Sequence, residues 1–549
     1  MDRRKLLKQF ALMGPAWLAA QHLPDGFIGS LNEEETMGGW FKPDWNSLKQ
    51  YQVPGWYRNA KFGIWAHWGP QCEPEYGDWY ARGMYEEGSE QYNYHVKKYG
   101  HPSRFGFKDV IHQWKADEWD PGYLVSLYKK AGAKYFFAMA NHHDNLDLWD
   151  SSHHRWNAVK LGPKKNIVAG WAKAAKEAGL PFGLSVHASH AWTWYETSQG
   201  ADKKGALAGV PYDGRLRKKD GKGKWWDGLD PQELYAQEHP LSKDETANKT
   251  ALPQWDWGSG ASIPSKAYCE NFYKRTIELI NKFAPELIYF DDSVLPFHGL
   301  NDVGLRIAAH HYNQSIRRNN GELNAVINGK ILNEEQRKCL VWDIERGQSN
   351  QIEPFTWQTD TCLGNWHYDQ RVYDRKGYKS AKTVVHTLID VVSKNGNFLL
   401  NVPVKGNGTI DELEKAIVEE ITAWMQVNSA GIYDTRPWKV YGEGPSTEKS
   451  APLKDQGFNE GKGKPFGAED IRFTMKGDSL FAFVLGWPED GKVKIRSLGT
   501  QKGWWTKAVG KVEMPGGGSL VFEHRDDALE VTLPDRRPAL SYAIALKVS

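Results

Sequence analysis

Between about Trp40 and Gly431, short apolar runs and amphipathic stretches alternate along the chain. The run from Lys61 to Ala66 ends in His67-Trp68-Gly69. Tyr123 to Ala131 carries Leu124, Leu127 and Tyr128 at the spacing of one helical face. Gly132 stops that helix before a strand-like run over 134–139, which opens on to Asn141-His142-His143-Asp144. A second helix is predicted over 167–177, closed by Gly179 and followed by a strand over 181–186 that ends at His187. A third covers 266–283, closed by Ala284-Pro285, and the strand after it, 286–290, runs into Asp291-Asp292. Strand followed by helix, repeated, predicts a parallel sheet. The polar residues collect at the carboxyl ends of the strands, where a (β/α)8 barrel builds its site. A doubly wound sheet would carry a glycine-rich phosphate loop, and none follows these strands. The expected class is α/β: a (β/α)8-type barrel over 40–432.

Two stretches depart from this rhythm. Residues 197–262 are rich in Gly, Lys and Asp, with Trp225-Trp226 and Trp255-Asp256-Trp257 embedded. A loop this long inside a domain is a functional lid or a linker. After Trp438 short alternating strands take over (470–474, 480–485, 492–495, 520–523, 529–533 and 541–546), predicting a C-terminal antiparallel β-sandwich over 438–549.

Composition narrows the function. Lys+Arg 70 against Asp+Glu 68 leaves +2, which gives no bulk field for nucleic acid or an anionic membrane. No segment has the unbroken apolar length of a membrane span. The first twenty residues pair a basic start (Arg3, Arg4, Lys5) with an apolar stretch from Phe10 to Leu18 and small residues Ala19-Ala20. That is the pattern of an export signal, here of twin-arginine type, and the expected location is periplasmic or extracellular. The four cysteines form no C-x-x-C pair, so neither a disulfide scaffold nor a zinc site is expected. The 26 tryptophans outnumber the 24 tyrosines and the 21 phenylalanines, so large flat rings are in demand.

Strand-end carboxylates among tryptophans and histidines point to sugar chemistry. A glycosidase needs two carboxyl groups, one an acid and then a base, the other a nucleophile or water activator. Aromatic faces suit sugar C–H groups, and His, Asn and Trp N–H groups read hydroxyls. Asp291 and Asp292 both follow a strand, and alternation sends them to opposite faces without saying which faces the site. Adjacent His142 and His143 point apart for the same reason, which favours hydroxyl reading over a shared metal.

Taken in order, the motifs resemble those of the family 29 glycoside hydrolases, the α-L-fucosidases. Trp56-Tyr57 with Lys61 to Gly69, Asp78-Trp79-Tyr80, Ala131 to Tyr135 with Asn141 to Asp144, Leu148 to Ser151, Tyr289 to Asp292, Asp390 to Asn401 and Ile432 to Trp438 all fall on family motifs. The resemblance implies a retaining exo-glycosidase that removes terminal α-L-fucosyl residues from a glycan or polysaccharide. It implies no cofactor and no metal. It puts the nucleophile on Asp291 and the acid/base on Glu345, with Glu353 in reserve. It places His67, Asp78, Trp79, His142, His143, Trp357 and Trp366 around the sugar. His187 stands where the family has a tyrosine. The chain further departs from the family at Asn141 (a lysine in the family), at Asn328-Gly329-Lys330 (Asn-Asp-Arg) and at Trp357-Gln358-Thr359 (Trp-Glu-Thr). Altered hydroxyl readers can change which sugar fits. The alternatives are thus an α-L-galactosidase-like or modified-fucose, including sulfated-fucose, glycosidase, or a catalytically weak carbohydrate-binding protein. The basic insertion is expected to form leaving-group subsites, with Trp225, Trp226, Trp255 or Trp257 stacking on sugars and its lysines meeting sulfate or carboxylate.

Overall fold

Eight parallel strands close into a barrel in chain order: β1 (Phe62–Ala66), β2 (Phe136–Asn141), β3 (Phe182–Val186), β4 (Leu287–Ser293), β5 (Val326–Lys330), β6 (Val341–Glu345), β7 (Trp357–Cys362) and β8 (Gly396–Asn401), which pairs back on to β1. This computed structural model describes residues 40–243, 257, 260–448 and 459–549; the expected export segment 1–20 and Trp255 lie outside them.

The helices follow from local chemistry. Pro121–Lys130 starts on Pro121 with Asp120 accepting from the Tyr123 N–H, and Ile167–Glu177 is capped by Asn166. Lys266–Phe283 is capped by Ser265 and ends where Ala284 turns left-handed. All three coincide with predicted segments. Strands β5 to β7 were not legible as apolar runs, because they turn Asn328, Asp343, Gln358 and Asp360 inward, each buried. Among the described residues no helix joins β5 to β6 or β6 to β7; the first connection holds only the single turn Gln336–Lys338.

Two glycines make room for aromatic rings in the barrel. A Cβ on Gly63 would sit 2.3 Å from the Tyr135 ring, and one on Gly396 would sit 2.7 Å from Trp357. The Tyr135 hydroxyl in turn donates to Gln358 at 3.0 Å, as the Tyr57 hydroxyl does at 2.9 Å.

The C-terminal strands are β9 (Arg436–Glu443), β10 (Ile471–Lys476), β11 (Ser479–Val484), β12 (Lys492–Ile495), β13 (Val512–Met514), β14 (Gly518–Ser519), β15 (Val521–His524), β16 (Leu529–Thr532) and β17 (Ile544–Val548). They form an antiparallel six-stranded sheet, ordered β14-β13-β17-β11-β10-β9, and a three-stranded sheet, β12-β16-β15. Alternation along β11 divides its labour. Leu480, Ala482 and Val484 join the core that the second sheet covers, whereas Phe481 and Phe483 join the core of the barrel. A buried charge cluster fastens the same seam: Arg472 Nε donates to Asp390 Oδ1 at 2.6 Å, and Lys394 Nζ to Asp390 Oδ2 at 2.6 Å. Cys72, Cys269, Cys339 and Cys362 are buried and unbridged.

Candidate active site

Strand β4 resolves the question that alternation left open. Asp291 turns into a cleft at the carboxyl end of the barrel, while Asp292 turns behind it to Ser189 Oγ at 2.9 Å and His190 Nε2 at 2.8 Å. His143 Nε2 and His187 Nδ1 lie 3.2 and 3.3 Å from Asp291 Oδ2, and Lys330 Nζ donates to Asp291 Oδ1 at 2.5 Å. Burial pushes the Asp291 carboxyl up, but the Lys330 ammonium and the two histidine contacts outweigh it. They hold Asp291 well below the usual carboxylate range.

Glu345, the last residue of β6, reaches the same cation. Lys330 Nζ donates to Glu345 Oε2 at 2.6 Å, and Trp366 Nε1 donates to Glu345 Oε1 at 3.1 Å. Asp291 Oδ1 and Glu345 Oε2 can stand no further apart than those two Lys330 bonds, 2.5 and 2.6 Å, laid end to end. That suits the roughly 5–5.5 Å of retaining glycosidases and falls short of the roughly 6.5–9.5 Å that admits an inverting water. Below Lys330 lie two more acids. Asp360 accepts from the Tyr289 hydroxyl at 2.8 Å, and Asp343 from Gln358 Nε2 at 2.8 Å. Burial raises Asp360 well above a normal carboxyl and Asp343 to about 7.

The remaining walls are built largely from histidines and tryptophans. Asn401, at the end of β8, accepts from the His67 backbone N–H at 2.9 Å and donates to the Trp366 carbonyl at 2.9 Å, fixing both residues. Asp78 accepts from the His367 backbone N–H at 2.8 Å. Trp79 is left-handed at φ 60, a strained conformation of the sort that persists at binding sites when the surroundings enforce it. Asn141, the departure from the family lysine, accepts from the backbone N–H groups of His187 at 3.1 Å and Ala188 at 3.2 Å. It thereby sets the turn that presents His187. Burial depresses His67 and His142 well below the ordinary histidine range, and His187 to about 4 despite the opposing pull of Asp291. These rings are therefore neutral, each with one donor and one acceptor. Among the described residues, both ring nitrogens of His67 and the Nε2 atoms of His187 and His367 have no hydrogen-bond partner. Buried nitrogens in that state are suited to a ligand's hydroxyls.

The structure thus gathers Asp291, Glu345, His67, Asp78, Trp79, His142, His143, His187 and Trp366 at one cleft. Trp357 is not among them: its ring packs over Gly396 and its Nε1 donates to the Lys394 carbonyl at 2.9 Å, inside the barrel wall. Glu353 is turned away to Ser349 at 2.5 Å and Arg337 at 3.5 Å. The insertion's paired tryptophans are spent on the protein itself. Trp225 stacks on His112 at 4.2 Å and donates to Asp109 at 2.7 Å, and Trp226 is 2% exposed. Trp226 offers no face to sugar, whereas Trp225 is half-buried. Trp257 stacks on His190 at 5.8 Å, directly behind Asp292. Asp360, His367, Trp65 and Tyr289 also line the cleft without having been singled out. Asp360 shares its strand face with Gln358, two residues back, so recognising β7 would have revealed it. Contrary to the expectation from strand alternation, His142 and His143, which follow the end of β2, do not point apart: their rings lie 4.4 Å from each other, and two histidine triplets, His67/His142/His367 and His142/His143/His187, have the spacing of a metal site.

A family model for α-L-fucosidase matches residues 30–430, and one for the α-L-fucosidase C-terminal domain matches 464–549. The chain is 24% identical to the tissue α-L-fucosidase of Rattus norvegicus over 83% of its own length and 81% of the relative's. It is 24% identical to an α-L-fucosidase of Dictyostelium discoideum over 90% and 91%. Among solved structures it resembles an α-L-fucosynthase of Thermotoga maritima in complex with α-L-Fuc-(1-2)-β-L-Fuc-N3 (TM-score 0.66, 25% identity, 93% of this chain and 100% of that one). The α-fucosidase of Thermotoga maritima in complex with fucose matches with TM-score 0.64, 25% identity and the same coverage.

Proposed function

The chain belongs to the α-L-fucosidase family and hydrolyses α-L-fucosyl residues, and from that premise we propose that it does so with retention, through a covalent intermediate on Asp291. The observation that carries this reading is the single ammonium of Lys330 shared by Asp291 and Glu345, which limits how far apart the two carboxyls can stand.

Asp291, kept ionised by Lys330, attacks the anomeric carbon. Glu345 gives its proton to the departing glycosidic oxygen as that bond breaks. Glu345, now a carboxylate, then takes a proton from water, whose oxygen attacks the same carbon and releases Asp291. Neutral His67, His142 and His187 hold the sugar hydroxyls, and Trp79 and Trp366 supply apolar faces. The substrate is a fucose-containing glycan. Among the described residues no helix is long and apolar enough to cross a membrane. The basic and then apolar stretch over residues 1–20 supports delivery to the periplasm or outside the cell.

The reading is tested by following the anomeric configuration of the first-formed sugar by NMR during hydrolysis of an aryl α-L-fucoside. An α-configured first product supports it, and a β-configured one refutes it. The second reading of the sugar is an α-L-galactosyl residue, whose additional 6-hydroxyl would have the unpartnered nitrogens of His67, His187 and His367 as candidate partners. Aryl α-L-fucoside and α-L-galactoside assayed side by side decide between them.

A further inference from the structure

His142 is held from behind by a side chain that does not touch the reacting atoms. Gln71 sits on the single turn Pro70–Cys72 directly after β1 and is fully buried. Its amide orientation is fixed from two sides. The Ala81 backbone N–H donates to Gln71 Oε1 at 3.3 Å, and Gln71 Nε2 lies 2.7 Å from His142 Nδ1 and 3.2 Å from Asp144 Oδ2. Flipping the amide would set an NH2 against the Ala81 N–H and a carbonyl oxygen against the Asp144 carboxyl. An amide NH2 can only donate. His142 Nδ1 is therefore the acceptor, the ring proton is on Nε2, and Nε2 is the nitrogen left for the cleft that His142 lines.

This polarity matters because the same ring belongs to a triplet with metal-like spacing. The candidate ligand atoms of His67, His142 and His367 lie within 4.8 Å of one another, all on buried residues. A metal needs a bare lone pair, and a metal-bound histidine as a rule donates its other N–H to an acceptor. At His142 the other nitrogen accepts instead. We infer that Gln71 is a positioning residue that commits His142 to the Nε2–H form, making the triplet a reader of sugar oxygens and closing it to zinc. The sugar-reading half rests on the glycosidase reading above; the exclusion of zinc does not, so a failure of one can be told from a failure of the other.

Gln71→Glu keeps the shape and reverses the polarity. A carboxylate there accepts from Nδ1–H and leaves the Nε2 lone pair bare, which is the carboxylate–histidine–zinc arrangement. The experiment dialyses the untagged full chain, Gln71→Glu and Gln71→Met against zinc, measuring bound metal, aryl fucoside hydrolysis and melting temperature. The expected result is no zinc uptake by the native chain and one zinc per chain in Gln71→Glu. Gln71→Met, which keeps the bulk and removes the donor, is expected to lose roughly 10–100-fold in kcat/KM at an unchanged melting temperature. Stoichiometric zinc on the native chain with loss of activity overturns the inference. So does a folded Gln71→Glu that takes up none, or a Gln71→Met with native kcat/KM. If Gln71→Glu does not fold, the native chain and Gln71→Met still decide.

Discussion

Asp291 and Asp292, consecutive in β4, turn to opposite sides of the strand: one lies 2.5 Å from Lys330 in the cleft, the other 2.8 Å from His190 behind it. Asp291→Ala should lower kcat by on the order of 10^4-fold or more, as loss of a nucleophile does elsewhere. Azide, entering the space vacated, should restore turnover and give the inverted glycosyl azide. Asp292→Asn should cost mainly stability and leave kcat within about tenfold. Near-native turnover in Asp291→Ala would sink the assignment.

The two candidate acids separate in the same way. Glu345 shares Lys330 with Asp291, whereas Glu353 is held by Ser349 and Arg337. Glu345→Ala should lose about 10²–10⁴-fold on natural glycosides, whose leaving oxygen needs a proton. It should lose far less on nitrophenyl substrates, whose leaving group departs unaided. Glu353→Ala should show no such difference between substrates. A leaving-group effect in Glu353→Ala and none in Glu345→Ala would exchange their roles.

Lys330 is expected to set the acid side of the pH profile. As the proposed nucleophile, Asp291 has to be ionised, and Lys330 offsets the burial that would otherwise push it up. In Lys330→Met burial prevails, Asp291 holds its proton to higher pH, and the acidic limb of kcat/KM should move upward. The loss should be largest at low pH and shrink as the pH rises. The linkage has a matching sign. Because the folded Asp291 is depressed, its contribution to stability is present above its unfolded pKa and is lost as pH falls through the folded one, below the usual carboxylate range. An acidic limb unmoved in Lys330→Met would show that another group sets it.

Asp390 compensates two buried cations, Arg472 and Lys394, at 2.6 Å each. Asp390→Ala strands both, and breaking a buried pair in this way costs about 3–5 kcal/mol. Denaturant unfolding should report that loss with KM unchanged. A stability change within about 0.5 kcal/mol, the range of an ordinary surface substitution, would mean that water reaches the seam.

Trp226 is 2% exposed inside the insertion, beside the Lys108 and Lys224 ammonium groups. Trp226→Ala should cost about 3–5 kcal/mol of stability. It should leave kcat/KM equal for short and long fucosylated substrates. A selective loss on long glycans would return this ring to the subsites.

The sequence carried the barrel's first half and most of the second domain, because β1 to β4 and the C-terminal strands have apolar runs bounded by turns. It was silent on β5 to β7, whose inward residues are Asn328, Asp343, Gln358 and Asp360. A strand lined with polar side chains has no hydrophobic period to detect. Motif resemblance named Asp291 and Glu345 where alternation alone could not. It misplaced Trp357 because a tryptophan in a motif can be there for packing, as the contact with Gly396 shows. Trp226 misled for a related reason, since its ring is buried. A pair of tryptophans in a polar loop looks available for stacking, but these rings find their partners in His112, Asp109 and two lysines of the same chain. His367 and Asp360 could not be ranked from the sequence, since their relevance comes from strands that meet only on folding.

The helix-free arc from β5 to β7 bears on how this enzyme can diversify. Elsewhere around the barrel a change in connection length would disturb a helix packed on the wall. Between Lys330 and Trp357 it would alter only turns and loop, at an entropic cost that grows slowly with length, about 0.6 kcal/mol per doubling. Glu345 ends the strand in the middle of that arc. The proposed proton donor therefore sits on the stretch of wall most open to insertion and deletion, while the proposed nucleophile on β4 stands between two long helices, Lys266–Phe283 and Val303–Arg318. On that assignment, new leaving groups can be accommodated by rebuilding the loops beside Glu345 without touching the strand that carries Asp291.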